Sequence, residues 1–278
     1  VQVNTDGVPS CDFQIAAEDG GCDPRVVLRM IRPGLEKNLG TMEFASDSKV
    51  TCTGAFFLAK DPRLNLAGTV ETKRWHWEDV RLTDVVAKWG LRGSEIRWDI
   101  AKATCCKGTV QSTGVYDTVT RIGSLAIEGS GASLNAMMTE FELGEAKPEN
   151  EAKVALSGRV RFLRDWAGRP LQLAGTGRVV LSEGDLWRVP ILSQLGDLLD
   201  VPFLRSLSLR SLGKITALRA DLAFDGERVA IPNLVTDGTA VSLSGSGEYS
   251  WRTERIEFDM VGHTFRKYGF VSWFSRPL

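Results

Sequence analysis

The stretch Leu218-Arg219-Ala220-Asp221-Leu222-Ala223-Phe224 alternates apolar with mostly polar side chains, and Ile256-Glu257-Phe258-Asp259-Met260 repeats the pattern further along the chain. Successive residues of a β-strand point to opposite sides, so each run has one greasy face and one wet face. Strands buried on both sides read as continuous apolar runs, so this alternation predicts antiparallel pairing. Working outward, Val154, Leu156, Gly158, Val160 and Phe162 alternate with Lys153, Ser157, Arg159 and Arg161. Val50, Cys52, Gly54, Phe56 and Leu58 do the same, as do Leu64, Leu66, Gly68 and Val70, and Ile96, Trp98 and Ile100. Gly175 to Gly262 thus reads as a run of antiparallel strands broken by one helical insert.

The connections agree. Asp61-Pro62, Glu183-Gly184-Asp185, Asp225-Gly226, Asp237-Gly238 and Arg252-Thr253-Glu254 separate the runs, and their glycines supply positive φ. The expected architecture is mainly β: an elongated, curled antiparallel sheet, an open half-barrel or trough, with one or two short amphipathic helices. One helix is expected near residues 24–39, where Asp23-Pro24 opens a Val26, Val27, Met30, Ile31 stripe. The second is expected at 190–212, where Ile191, Leu192, Leu195, Leu198 and Leu199 precede a stop at Gly213. Its greasy side packs on its own sheet or meets a membrane. Gly68-Thr69-Val70 with Trp75 and Trp77 finds an echo in Gly177-Arg178-Val179 with Trp187. Two repeats are expected, 1–145 and 152–278, joined through the polar stretch Glu145–Glu151 into one continuous sheet.

Charge and motif content narrow the function. Lys plus Arg is 34 and Asp plus Glu 35, so no broad field attracts nucleic acid, and Arg159, Arg161 and Arg164 read as a solvated strand face. The five cysteines, Cys11, Cys22, Cys52, Cys105 and Cys106, lack zinc or redox spacing. Cys11 and Cys22 bracket a Gly-rich turn and suit a disulfide in an oxidising compartment, whereas a bond within Cys105–Cys106 is strained. No run reaches the roughly 18 apolar residues of a transmembrane helix. HExxH, P-loop, GxSxG and EF-hand patterns are absent, and Gly129-Ser130-Gly131 and Gly245-Ser246-Gly247 read as strand or turn glycines. His76 lies beside Glu78 and Asp79, but alternation sends it to the face opposite Trp75 and Trp77. No catalytic residue, metal site or cofactor is expected. The tryptophans, eight in all, read as sheet-face packing, with a ligand groove as the sharper alternative.

From Val154 onward the order of these segments resembles a known family. Leu156–Phe162, Leu173–Leu181, Gly184–Pro190 with the Leu-rich helix, Ala220–Gly226, Ile231-Pro232-Asn233-Leu234, Gly245–Tyr249 and Ile256–Met260 are similar, in that order, to the AsmA-like C-terminal region. That region belongs to AsmA-, TamB- and YhdP-type bacterial envelope proteins. The resemblance implies a periplasmic trough, anchored in the inner membrane by a segment outside this chain, whose apolar face holds acyl chains during phospholipid transfer or outer-membrane homeostasis. The candidate groove residues are Val154, Leu156, Val160, Phe162, Val179, Leu181, Leu218, Leu222, Phe224, Val241, Leu243, Ile256, Phe258 and Met260. The implied partners are a phospholipid or other acyl lipid, the inner membrane and outer-membrane proteins. Two other readings compete: a scaffold for outer-membrane protein assembly, and a carbohydrate-active β-protein using carboxylates near Trp75–Asp79. The alternation also fits a closed sandwich with a dry core.

Overall fold

The computed structural model describes residues 2–4, 10–17, 23, 25–26, 29, 43–57, 63–77, 80–141, 152–164, 170–184, 215–239, 241–250, 253 and 255–264. Nearly all lie in strands of one antiparallel sheet. The strands are β1 (Gln2–Asn4), β2 (Ser10–Ala17), β3 (Glu43–Phe44), β4 (Lys49–Phe57), β5 (Arg63–Trp77), β6 (Val80–Arg92), β7 (Glu95–Cys105) and β8 (Gly108–Asp117). There follow β9 (Ile122–Ser133), β10 (Lys153–Arg164), β11 (Pro170–Ser182), β12 (Ile215–Gly226), β13 (Arg228–Gly238), β14 (Val241–Ser250) and β15 (Arg255–Thr264). Hydrogen-bonded order follows chain order from β1 to β15, with β3 pairing β5 beside the main path. The order ends at β1 and β15, so strand pairing does not close a barrel, and no second sheet occurs among the described residues. The antiparallel open sheet expected from alternation is therefore found.

Of the two expected helices, the structure describes only a few residues of the first, and these are helical. The 190–212 insert lies outside the described residues. Of the 24–39 segment only Arg25, Val26 and Arg29 are described; the Asp23 carboxylate accepts a hydrogen bond from the Arg25 amide at 2.9 Å, as a cap does. One unexpected helix, α1 (Leu134–Glu140), follows β9, with the Ser133 hydroxyl accepting from the Ala136 amide and Leu134 and Met138 buried. Seven residues carry too short a period to stand out in a strand-dominated sequence.

Two compact units divide the chain: Val1–Glu128 with Arg161–Pro170, and Gly129–Val160 with Leu171–Leu278. Their boundaries fall in β9, β10 and β11, while the expected linker at 145–151 lies outside the described residues. In the first unit, register aligns Phe13, Gly54, Leu66, Leu91, Ile96 and Tyr116 in one row across six strands. The next row reads Ile15, Cys52, Gly68, Trp89, Trp98 and Gly114. These rows supply Cys52, Leu66 and Leu91 to a core completed by Val50 and Val70, with Phe13, Ile15, Phe44, Trp89 and Ile96 against it. Where β4 gives way to β3, Ser48 stays dry because its hydroxyl donates to the Ala45 carbonyl at 2.6 Å and bonds the Thr72 hydroxyl at 2.8 Å.

Glycine and aromatic positions are coupled across strands. The Trp89 ring lies over Gly68, leaving only 2.8 Å to a β-carbon built there, and the Trp98 ring lies over Gly114 while its indole N–H donates to Ser112. Phe13 covers Gly54, and Phe162 covers Gly123 and stacks on Tyr116. A ring that lies down on a glycine buries its own face and shields a backbone otherwise bare to water.

Two outcomes follow. Gly68→Ala and Gly114→Ala each lower the urea unfolding free energy by about 1–3 kcal/mol, because the new methyl meets a ring, and at Gly68 also the Thr51 carbonyl; unchanged midpoints contradict this. Burial pushes the Cys52 thiol up to about 11 from its ordinary 9.0. The folded chain thus holds this proton more tightly than the unfolded chain, a contribution complete below pH 9 and lost as pH rises through about 11. The stability difference between wild type and Cys52→Ala should therefore shrink over that interval; a pH-independent difference contradicts the assignment.

Candidate functional site: the uncharged face of the second unit

Pairing between β11 and β15 sorts the second unit into rows. Leu181, Leu218 and Thr236 form the first, and Leu243 joins it by donating its amide to the Thr236 hydroxyl at 2.8 Å. Val179, Ala220, Leu234, Gly245 and Met260 form the second. Gly177 and Leu222 lead to Ile231, Gly247 and Phe258, and Gly175, Phe224, Val229, Tyr249 and Ile256 make the last row. A bulge in β13 between Ile231 and Leu234 interrupts the third row, and it contains Pro232, whose missing N–H cannot serve a regular ladder. On the β10 side, a β-carbon at Gly158 meets the Thr176 carbonyl at 3.1 Å and the Gly177 backbone at 3.4 Å, which places Leu156 and Val160 on this same face by alternation.

These rows carry no charged side chain. The opposite face is ionic. Arg178 pairs with Asp221 at 2.6 Å, Arg255 with Glu257 at 2.8 Å, and Arg228 approaches Glu248 at 3.7 Å. The hydrogen bond from Arg178, aided by that from Asn233, holds the Asp221 carboxyl below its ordinary range. These pairs are solvent-screened and add little to stability, so their effect is to keep that face wet.

Burial is graded along the uncharged face. Leu181, Leu218, Thr236 and Leu243 are buried, as are Ile215 and Val154 at the same end of their strands. Leu222, Phe224, Val229, Ile231, Tyr249 and Phe258, at the other end, are half-buried. Glycine seats recur here: Phe258 lies within 2.6 Å of a β-carbon built at Gly247, Met260 within 2.9 Å of one at Gly245, and Phe224 within 3.5 Å of one at Gly177. At Gly175 the backbone has φ of +153°, and a β-carbon would run into the Arg159 carbonyl. The result is a low apolar floor of rings and branched side chains laid along the strands.

The candidate residues therefore separate by position. Val154, Leu181, Leu218 and Leu243 are buried, whereas Leu156, Val160, Val179, Leu222, Phe224, Phe258 and Met260 are partly open. Phe162 belongs to the first unit, half-buried over Gly123. Val241 and Ile256 lie in β14 and β15, but their side chains are outside the described residues. Val229, Ile231 and Tyr249 join this face as well, and the sequence signal for them is the charge on the neighbouring Arg228 and Glu248. The Gly245-Ser246-Gly247 stretch lies within a strand, and its glycines turn out to be ring and side-chain seats.

Elsewhere, His76 lies on β5 with its Nδ1 3.7 Å from the Glu43 carboxylate, while Trp75 stacks on Phe44 at 5.5 Å. Glu78 and Asp79 lie outside the described residues, as do Cys22 and the side chain of Cys11. Among the described residues no group of three or more His, Cys, Asp or Glu side chains is placed to hold a metal ion, and no helix is long and apolar enough to cross a membrane. Comparison with known protein families, curated proteins and solved structures finds no match.

The burial gradient sets an expectation for stability. Leu243→Ala costs about 2–5 kcal/mol, the range for a buried leucine, and half-buried Phe258→Ala costs less than half as much despite its larger side chain. Equal costs by urea denaturation contradict the division into a packed end and an open end.

Proposed function

We propose that the chain is a non-catalytic module that binds acyl chains on the uncharged face of its second unit. One observation carries the reading: four aligned rows without a charged side chain are buried at one end and leave Leu222, Phe224, Val229 and Phe258 half-open at the other. A single sheet strand spacing is about 4.8 Å, so the five spacings between β10 and β15 give a floor about 24 Å across. Each methylene taken from water onto such a floor contributes about 0.8 kcal/mol, so ten supply about 8 kcal/mol before ordering costs. Binding of this kind needs no polar signature, which accords with the lack of any catalytic motif. The segment order that resembles the AsmA-like C-terminal region supports the same reading. It extends the proposal to a periplasmic location, an anchored parent protein, and phospholipid transfer or outer-membrane homeostasis.

A second reading, a scaffold on which outer-membrane protein strands pair, draws on the end of the strand order. Among the described residues β15 pairs only with β14.

Native mass spectrometry of the purified chain tests the main reading. Phospholipid or fatty acid should co-purify or bind from mixed micelles, and Phe224→Glu and Phe258→Glu should each cut occupancy by roughly tenfold or more, because a carboxylate on an apolar floor must be desolvated. A folded protein that takes up no lipid under either condition overturns the proposal, and crosslinks from β15 to barrel strands then favour the scaffold.

A further inference from the structure

The β7–β8 hairpin of the first unit turns through Cys106 and Lys107, with Cys105 and Gly108 as its last pair. Both turn residues have positive φ, 49° and 67°, the type I′ geometry for which Asn-Gly is the low-strain choice. A cysteine and a lysine held there are strained, and such strain concentrates where a side chain must be aimed. Here it presents two half-buried thiols, Cys105 and Cys106, with sulfurs 3.7 Å apart.

That separation discriminates between two fates. A disulfide needs sulfurs about 2.05 Å apart and Cα atoms at least about 4.4 Å apart, whereas neighbours across a trans peptide are fixed at about 3.8 Å. Two bonds of about 2.3 Å meeting at roughly 100–109° instead set the sulfurs about 3.5–3.8 Å apart. The pair is poorly placed to bond to itself and well placed to grip one atom between its sulfurs.

We propose that Cys105 and Cys106 form a bidentate site for a soft, thiophilic ion or trivalent metalloid that accepts two sulfur ligands. The site lies at a hairpin tip of the first unit and is independent of lipid binding. With phenylarsine oxide as the probe, both S–H bonds and the As=O bond break, two As–S bonds form, and one water leaves with no change of oxidation state. Lys102 and Lys107 flank the pair, so trypsin releases it as the peptide Ala103–Lys107.

The experiment is titration of the purified chain with phenylarsine oxide followed by tryptic mapping. One equivalent should be recovered on Ala103–Lys107, released by dithiothreitol but not by an equal excess of 2-mercaptoethanol. Cys105→Ser and Cys106→Ser should each weaken binding by about 100-fold or more, since the second bond of a chelate is an intramolecular event. Recovery of the arsenical only on other cysteines, release by the monothiol, or a two-dalton mass loss on this peptide in place of the adduct overturns the proposal. The mapping on wild type decides the matter even where a serine variant fails to fold.

Discussion

A strand cannot choose a face for one residue without fixing the face of every other, and the whole protein depends on that constraint. Each strand of the second unit places its charges on odd-numbered or even-numbered positions as register demands, so Arg178, Asp221 and Asn233 align on one side while Val179, Ala220 and Leu234 align on the other. Among the described residues part of the apolar side is covered from within its own face. Rings laid across neighbouring glycines do this: Trp89 on Gly68, Trp98 on Gly114, Phe162 on Gly123 and Phe258 on Gly247. The same device serves both units.

Burial of the apolar side is complete in some places and partial in others. In the first unit it yields a dry core around Cys52 and Leu66, where the thiol gives up its proton only at high pH. In the second unit it is complete near Ile215 and Leu243 and incomplete around Phe224 and Phe258. A face that exposes apolar area without charge attracts apolar partners through the hydrophobic effect alone. A lipid-binding role as proposed would spread its binding energy over many ordinary side chains and need no catalytic constellation.

Much of this was legible from residue order. Leu218 to Phe224 and Ile256 to Met260 announce strands because alternation survives any tertiary context that keeps one face wet. The rows were not legible, since they depend on register between distant segments, and the β13 bulge at Pro232 shifts that register by one residue. For the same reason Gly245 and Gly247 read only as ordinary strand or turn glycines, and their role as seats for Met260 and Phe258 shows only in the register. The burial gradient was invisible too: Leu218 and Leu222 share a strand and a face, yet only the first is buried. Helix α1 escaped because a Ser133 cap before seven residues resembles a loop when strands flank it.

The most direct test of the account is photo-crosslinking with a phospholipid whose acyl chain carries a diazirine, followed by residue-level mapping. Adducts should cluster on Leu222, Phe224, Val229, Ile231, Tyr249 and Phe258, with none on Arg178, Asp221, Arg228 or Glu257 across the sheet. Adducts distributed evenly over both faces, or confined to the ionic face, would contradict lipid binding on the uncharged face.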